Sequence, residues 1–137
     1  GPEMRGGTSN CTVVIADEEI GSPSVSSPDI LVVMNKPSFD KFEPKTAPGG
    51  TIFCDSTLID KKSERNDIKA VYIPATELAE ENDLKGFANV IILGNILKET
   101  GIFTYEDFEH YLVSSIPETK SALIEKNKKA LSIGYNY

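Results

Sequence analysis

The chain has 137 residues, 39% hydrophobic and 26% charged, the size and make-up of a single globular domain. Its 14 Lys and Arg against 21 Asp and Glu leave a formal charge of −7, which argues against nucleic acid, where basic side chains supply most of the affinity. Two cysteines are too few for an iron–sulfur cluster or a Cys-rich zinc site, one histidine excludes mechanisms that need two, and no apolar run approaches the roughly 20 residues of a membrane span.

The opening GPEMRGGTSNC has neither the basic stretch nor the apolar core of a secretory leader. With two thiols and no framework spacing, a reducing, cytoplasmic setting is expected. Within this stretch Gly6 and Gly7 let the backbone approach a ligand or another chain closely. Arg5 offers a planar fork of donors suited to carboxylate or phosphate, and Thr8, Ser9 and Asn10 add hydroxyl and amide groups. An ordinary glycine turn beside a solvated arginine accounts for the same residues. No phosphate loop is present, since the chain has neither Gly-Lys-Ser/Thr nor Gly-x-Gly-x-x-Gly.

Four apolar, β-branched runs follow, at residues 11–16 (CTVVIA), 30–34 (ILVVM), 51–54 (TIFC) and 70–73 (AVYI). They are nearly continuous rather than alternating, as in parallel strands covered on both faces. Their starts lie about 20 residues apart, which suits crossovers and not hairpins. Residues 17–29, rich in Ser and Pro, read as an extended loop. Residues 38–42 form a short helix candidate, preceded by Pro37 and stopped by Pro44. Pro48-Gly49-Gly50 is a turn into the third run, and the polar stretch 60–69 reads as a solvated loop.

After Pro74 the period changes. Thr76 is placed to cap a short helix over 77–81. Phe87, Val90, Ile91, Gly94 and Leu97 follow helical spacing over 86–100, with Gly101 as C-cap. Thr104-Tyr105-Glu106-Asp107 resembles a capping box that opens a helix over 104–113. Ala122, Leu123, Lys126, Ala130 and Leu131 mark a last helix over 120–133, ended by Gly134. The expected fold is a single α/β domain over 1–137, a mostly parallel sheet with flanking helices and a helical C-terminal third.

Polar residues gather where the strands should end: Asn35, then Asp55, Ser56 and Thr57, then Thr76. In open α/β sheets that edge binds ligands, yet the same residue types end strands and cap helices. His110, between Glu109 and Tyr111 near a helix end, reads as a surface histidine. Cys11 and Cys54 fall in apolar strands, where a thiol behaves as a small hydrophobe. No nucleophile, base and acid can be assembled from these residues.

The runs GPEMRGGTSNCTVVIADEEIGSP, PDILVVMNKPSFDKF, PGGTIFCDSTLI, IPATELAEE and ANVIILGNILKETG, in that order, resemble the gamma subunit of 2-oxoacid:ferredoxin oxidoreductases. The similarity spans nearly the whole chain, and Arg-Gly-Gly-Thr-x-Asn-Cys is closer to the 2-oxoglutarate and branched-chain types than to the pyruvate type. The resemblance implies a complex that uses thiamine diphosphate to decarboxylate a 2-oxoacid. Electrons then pass through iron–sulfur clusters to ferredoxin, and an acyl-coenzyme A is released. It further implies that thiamine-binding and ferredoxin-like partner subunits hold the redox groups. This chain then shapes coenzyme A access and assembly, with no activity alone. By the same resemblance Arg5, Gly6, Gly7, Thr8 and Asn10 face coenzyme A or a subunit interface. Family members open with a strand, a Gly-x-Gly-Gly-Gln-Gly turn and a helix ahead of GPEMRGG, so an N-terminally shortened domain is expected here. Two other expectations compete: a stand-alone small-molecule-binding domain that uses the strand-end edge, and a purely structural assembly module.

Overall fold

Three of the apolar runs are strands: Ile30–Val33 (β1), Thr51–Asp55 (β2) and Lys69–Ile73 (β3). The structure is a computed structural model and describes residues 30–137; the strand expected at 11–16 and the loop at 17–29 lie outside the described residues. The three strands pair in parallel in the order β1-β2-β3, with Val32 opposite Phe53 and Phe53 opposite Val71. The described residues belong to two compact units, one ending at Ile73 and the other running from Pro74 to Tyr137.

In the first unit, alternation sorts the strands into two apolar faces. Leu31, Val33, Ile52 and Cys54 lie on one face, with Ala70 and Tyr72 packed beside them. Phe39 and Phe42 of helix Lys36–Phe42 (α1) join that cluster, together with Ile59 and Ile68. Phe53 and Ile73 lie on the opposite face and are buried as well. In β2, Phe53 and Cys54 are buried on opposite faces, which is why that run reads as continuous and not alternating, whereas β1 alternates between half-buried and buried residues.

Helix α1 starts earlier than its sequence suggests, because Asn35 caps it: the Asn35 carboxamide accepts the Ser38 N–H at 2.9 Å. Pro37 then sits in the first turn, where a missing N–H costs nothing. Pro44 falls in a 3-10 turn, Glu43–Lys45. The 60–69 stretch departs from the expected solvated loop. Lys61, Lys62, Glu64 and Asn66 are exposed, but Arg65 ties the segment down. Its guanidinium donates to the carbonyls of Glu43 (3.0 Å) and Thr46 (2.8 Å) and forks onto both Asp67 carboxylate oxygens (2.9 and 2.7 Å). Ser63 adds two more anchors, its N–H donating to the Tyr72 hydroxyl at 2.8 Å and its hydroxyl to Glu43 at 2.9 Å. Carbonyls of a tight turn need donors, and a planar guanidinium meets two at once.

The second unit holds four helices: Ala75–Glu81 (α2), Ala88–Thr100 (α3), Tyr105–Ser114 (α4) and Ser121–Asn136 (α5). Thr76 is not the cap of α2. Pro74 occupies that position, its carbonyl accepting the Leu78 N–H at 2.9 Å, so Thr76 lies in the first turn behind the buried Ala75. Gly101 does end α3, in the left-handed conformation (φ 63°) that glycine adopts without strain, its N–H donating to Leu97 at 3.0 Å. Thr104 does cap α4, its hydroxyl accepting the Asp107 N–H at 3.2 Å.

Gly134 does not end α5, which continues to Asn136. Gly134 instead faces α3, and Gly94 of α3 faces α5. A Cβ on Gly134 would run into the Ile91 carbonyl oxygen and lie 2.7 Å from its carbon. A Cβ on Gly94 would run into the Leu131 carbonyl oxygen and lie 2.9 Å from the Tyr135 nitrogen. The two glycines bring α3 and α5 backbone to backbone, with Ile91, Ala130 and Leu131 fully buried around them.

Candidate functional site

The residues Arg5, Gly6, Gly7, Thr8 and Asn10, and with them Cys11, lie outside the described residues. The strand-end polar residues are within them, and their geometry is that of caps and turns. Asn35 caps α1. Asp55, fully buried at the end of β2, accepts the Thr57 N–H at 3.1 Å and so closes an Asx turn. The Ser56 N–H donates to the Ile73 carbonyl at 2.9 Å, extending the β2–β3 ladder by one bond. Asn35 and Asp55 therefore share one sheet edge while their side chains hold the local backbone.

Cys54 is fully buried among Leu31, Ile52 and Phe39. Burial pushes its thiol up to about 12, the charge of Glu43 adds to this, and Lys62 partly opposes it. A thiolate is the form that ligates a metal or attacks a carbonyl, so Cys54 suits neither a cluster nor nucleophilic chemistry. Among the described residues no three His, Cys, Asp or Glu side chains are grouped to hold a metal ion. His110 is exposed on α4.

Within the second unit a shallow cleft of about 580 Å³ opens between the segment at Asn82–Leu84 and helices α4 and α5. Tyr105 lines it, and burial together with the Glu109 charge raises the phenol's pKa while a hydrogen bond from Ser132 works against the rise. The Tyr105 ring packs on Tyr135 at 4.9 Å between centroids. Lys129 crosses the cleft to donate to the Asn82 carbonyl at 3.1 Å. Asp83, Glu109 and Glu125 line it together with Lys126, Lys128 and Lys129, so the cleft favours neither charge sign.

Sequence reasoning passed over three features. Arg65 was hidden inside a polar run; only its spacing from Asp67 marked it. Asn95, in the apolar face of α3, is buried, donates to the Gly134 carbonyl at 3.3 Å and leaves its own oxygen unpartnered. The third is an aromatic row on α4: Phe103, Phe108 and Tyr111 follow one another at 6.1 and 6.4 Å, with Phe103 53% and Tyr111 70% exposed.

No complete catalytic set is formed by these residues, and comparison with known proteins decides the family. Residues 1–137, the whole chain, match the family described as pyruvate ferredoxin/flavodoxin oxidoreductase. The chain belongs to that family. It is 38% identical to the 2-oxoglutarate synthase subunit KorC of Methanocaldococcus jannaschii, over 98% of this chain and 72% of that protein. It is 36% identical to the ketoisovalerate oxidoreductase subunit VorA of Methanothermobacter marburgensis, over 100% of this chain but only 28% of that one. The chain thus spans about a quarter of one relative and most of another. The fold matches the gamma subunit of the keto/oxoacid ferredoxin oxidoreductase of Geobacter sulfurreducens, with a TM-score of 0.74 at 24% identity, over 88% of this chain and 65% of that one. The resemblance read from the residue motifs, to gamma subunits of the 2-oxoglutarate or branched-chain type, is borne out. Among the described residues, no helix is long and apolar enough to cross a membrane.

Proposed function

We propose that this chain is the gamma-type domain, acting as one unit in the cytoplasm, of a 2-oxoacid:ferredoxin oxidoreductase for 2-oxoglutarate or a branched-chain 2-oxoacid. The observation that carries this reading is the near-complete match to a 2-oxoglutarate synthase subunit, of which the chain spans most of the length. In the assembled enzyme, thiamine diphosphate supplies the decarboxylation chemistry, iron–sulfur clusters carry electrons to ferredoxin, and coenzyme A accepts the acyl group. These groups belong to the thiamine-binding and ferredoxin-like partner subunits in this reading. The buried, protonated Cys54 supports it, being unsuited to ligation.

The chain's own contribution is proposed at Arg5, Gly6, Gly7, Thr8 and Asn10. A guanidinium pairs bidentately with a phosphate of coenzyme A or a partner's carboxylate, and adjacent glycines remove steric bulk beside it. Arg5→Ala in the assembled enzyme tests this. Loss of a buried, charge-assisted pair should cost about 2–5 kcal/mol and so weaken coenzyme A dependence or assembly at least tenfold. Full assembly with an unchanged coenzyme A dependence would return Arg5 to the surface. The reading as a whole rests on activity: the complex should reduce a viologen dye when given coenzyme A with 2-oxoglutarate or 2-oxoisovalerate. A chain that binds a small molecule tightly with no partner would favour the stand-alone alternative.

A further inference from the structure

Helix α4 is amphipathic, yet none of its ten residues is buried. Tyr105, Phe108 and Leu112 lie along one side and are half-buried. On the other side Phe103, just ahead of the helix, and Tyr111 expose more than half their area, with Ile102 beside them at 37%. Phe108 joins the two rings into a continuous aromatic row. Exposed aromatic rows of this kind mark contact surfaces, because large rigid rings gain most when a partner removes them from water.

The charge around the row says what can cover it. From Glu99 to Thr119 the chain has five acidic residues, at 99, 106, 107, 109 and 118, and no Lys or Arg. Asp107, in the first turn of α4, is four residues ahead of Tyr111 and so lies on the same side of the helix as that exposed ring. A second copy seated α4 to α4 would set these carboxylates against each other with no Lys or Arg on either helix to offset them, which disfavours self-association. The relatives point to the same answer. One carries this domain as 28% of a longer chain, and another carries it as most of a separate subunit. A surface met within the chain in the first must be met by another chain in the second.

Building on the proposed function, we propose that the Phe103–Tyr111 face of α4 is where this domain docks onto another subunit of its complex, into an apolar groove edged by Lys or Arg. The groove takes the rings of Phe103 and Tyr111, and its basic edge pairs with Asp107.

The test is reconstitution of the complex from the full-length chain and its partner subunits, with association followed by light scattering and titration. Phe103→Ala and Tyr111→Ala should each weaken association about tenfold or more, as truncated aromatic hot spots do. Their circular dichroism and unfolding midpoint should stay at the wild-type value, because the side chains are exposed. Asp107→Lys should also weaken association, and raising salt should erase the difference between Asp107→Lys and wild type. Wild-type assembly with unchanged affinity in both aromatic variants would overturn the docking proposal and leave the function standing. A wild-type chain that never joins the partners would overturn the function and the docking face together. A homodimer lost on Tyr111→Ala would also overturn the proposal, since the occupant would then be a second copy.

Discussion

Gly134 and Gly94 show how a single missing methyl group sets the geometry of a domain. Each lies where another helix's backbone passes within contact distance. Replacing Gly134 by Ala has two opposing effects. Helix propensity gains roughly 1 kcal/mol, while overpacking against a rigid neighbour costs about 1–3 kcal/mol. The obstacle here is the Ile91 carbonyl and not a side chain that can rotate away, so the cost prevails. Gly134→Ala should lower the urea midpoint, whereas Asn136→Ala, exposed in the same helix, should leave it nearly unchanged. Cys54 gives a second prediction at this scale. Its folded pKa of about 12 lies above the value of about 8.5 expected when unfolded. The native state therefore holds a proton that the unfolded state has lost, and stability falls as pH rises between those values, by roughly 1.4 kcal/mol per pH unit. Below the unfolded value the contribution is fully present. Urea unfolding at pH 8 and pH 10 should show a steeper loss in wild type than in Cys54→Ala; equal slopes would contradict the assignment.

The elements differ in how firmly each is held. Helix α3 has seven buried residues and α4 has none, so α4 depends more on its cap. Thr104→Ala removes the acceptor for the Asp107 N–H and should cost about 1 kcal/mol. Because α4 is loosely packed, that cost should appear as faster hydrogen exchange in residues 105–114 before it appears in the overall melting temperature. The same contrast explains what could be read from the sequence. The runs at 30–34, 51–54 and 70–73 were legible because their apolar, β-branched side chains suit a parallel sheet, whose central strand β2 is buried on both faces. The start of α4 and the end of α3 were legible because Thr104 and Gly101 act through neighbours in sequence. Gly134 misled because a glycine that ends a helix and one that admits a neighbouring backbone are written with the same letter. Arg65 was missed because its partners, Glu43 and Thr46, lie about 20 residues away. Thr76 misled because Pro74 begins the helix two positions earlier, through its carbonyl alone. At the strand-end edge, Asn35 and Asp55 were found from their position, but only the geometry shows them holding backbone.

At the scale of the whole molecule, a chain of 137 residues with charge −7 carries, among its described residues, a three-stranded parallel sheet, five α-helices and no group of side chains placed to hold a metal ion. In the proposed reading such a domain acquires its chemistry from what it assembles with. The motifs that pointed to the family were local and contiguous, so they survived without any structural information. The proposed docking surface joins α4 to the turn ahead of it and needed the fold to show that Ile102, Phe103 and Tyr111 are exposed together. The central claim is that this chain works as the gamma-type part of a 2-oxoacid:ferredoxin oxidoreductase. Purification from its own host through an affinity tag on this chain tests it most directly, with thiamine, iron and coenzyme A-dependent activity measured on the product. The account predicts a stable complex that contains thiamine diphosphate and iron–sulfur clusters and oxidises 2-oxoglutarate or a branched-chain 2-oxoacid only when coenzyme A is present. Recovery of the chain alone, free of thiamine and iron, from cells in which that activity fractionates elsewhere would contradict it.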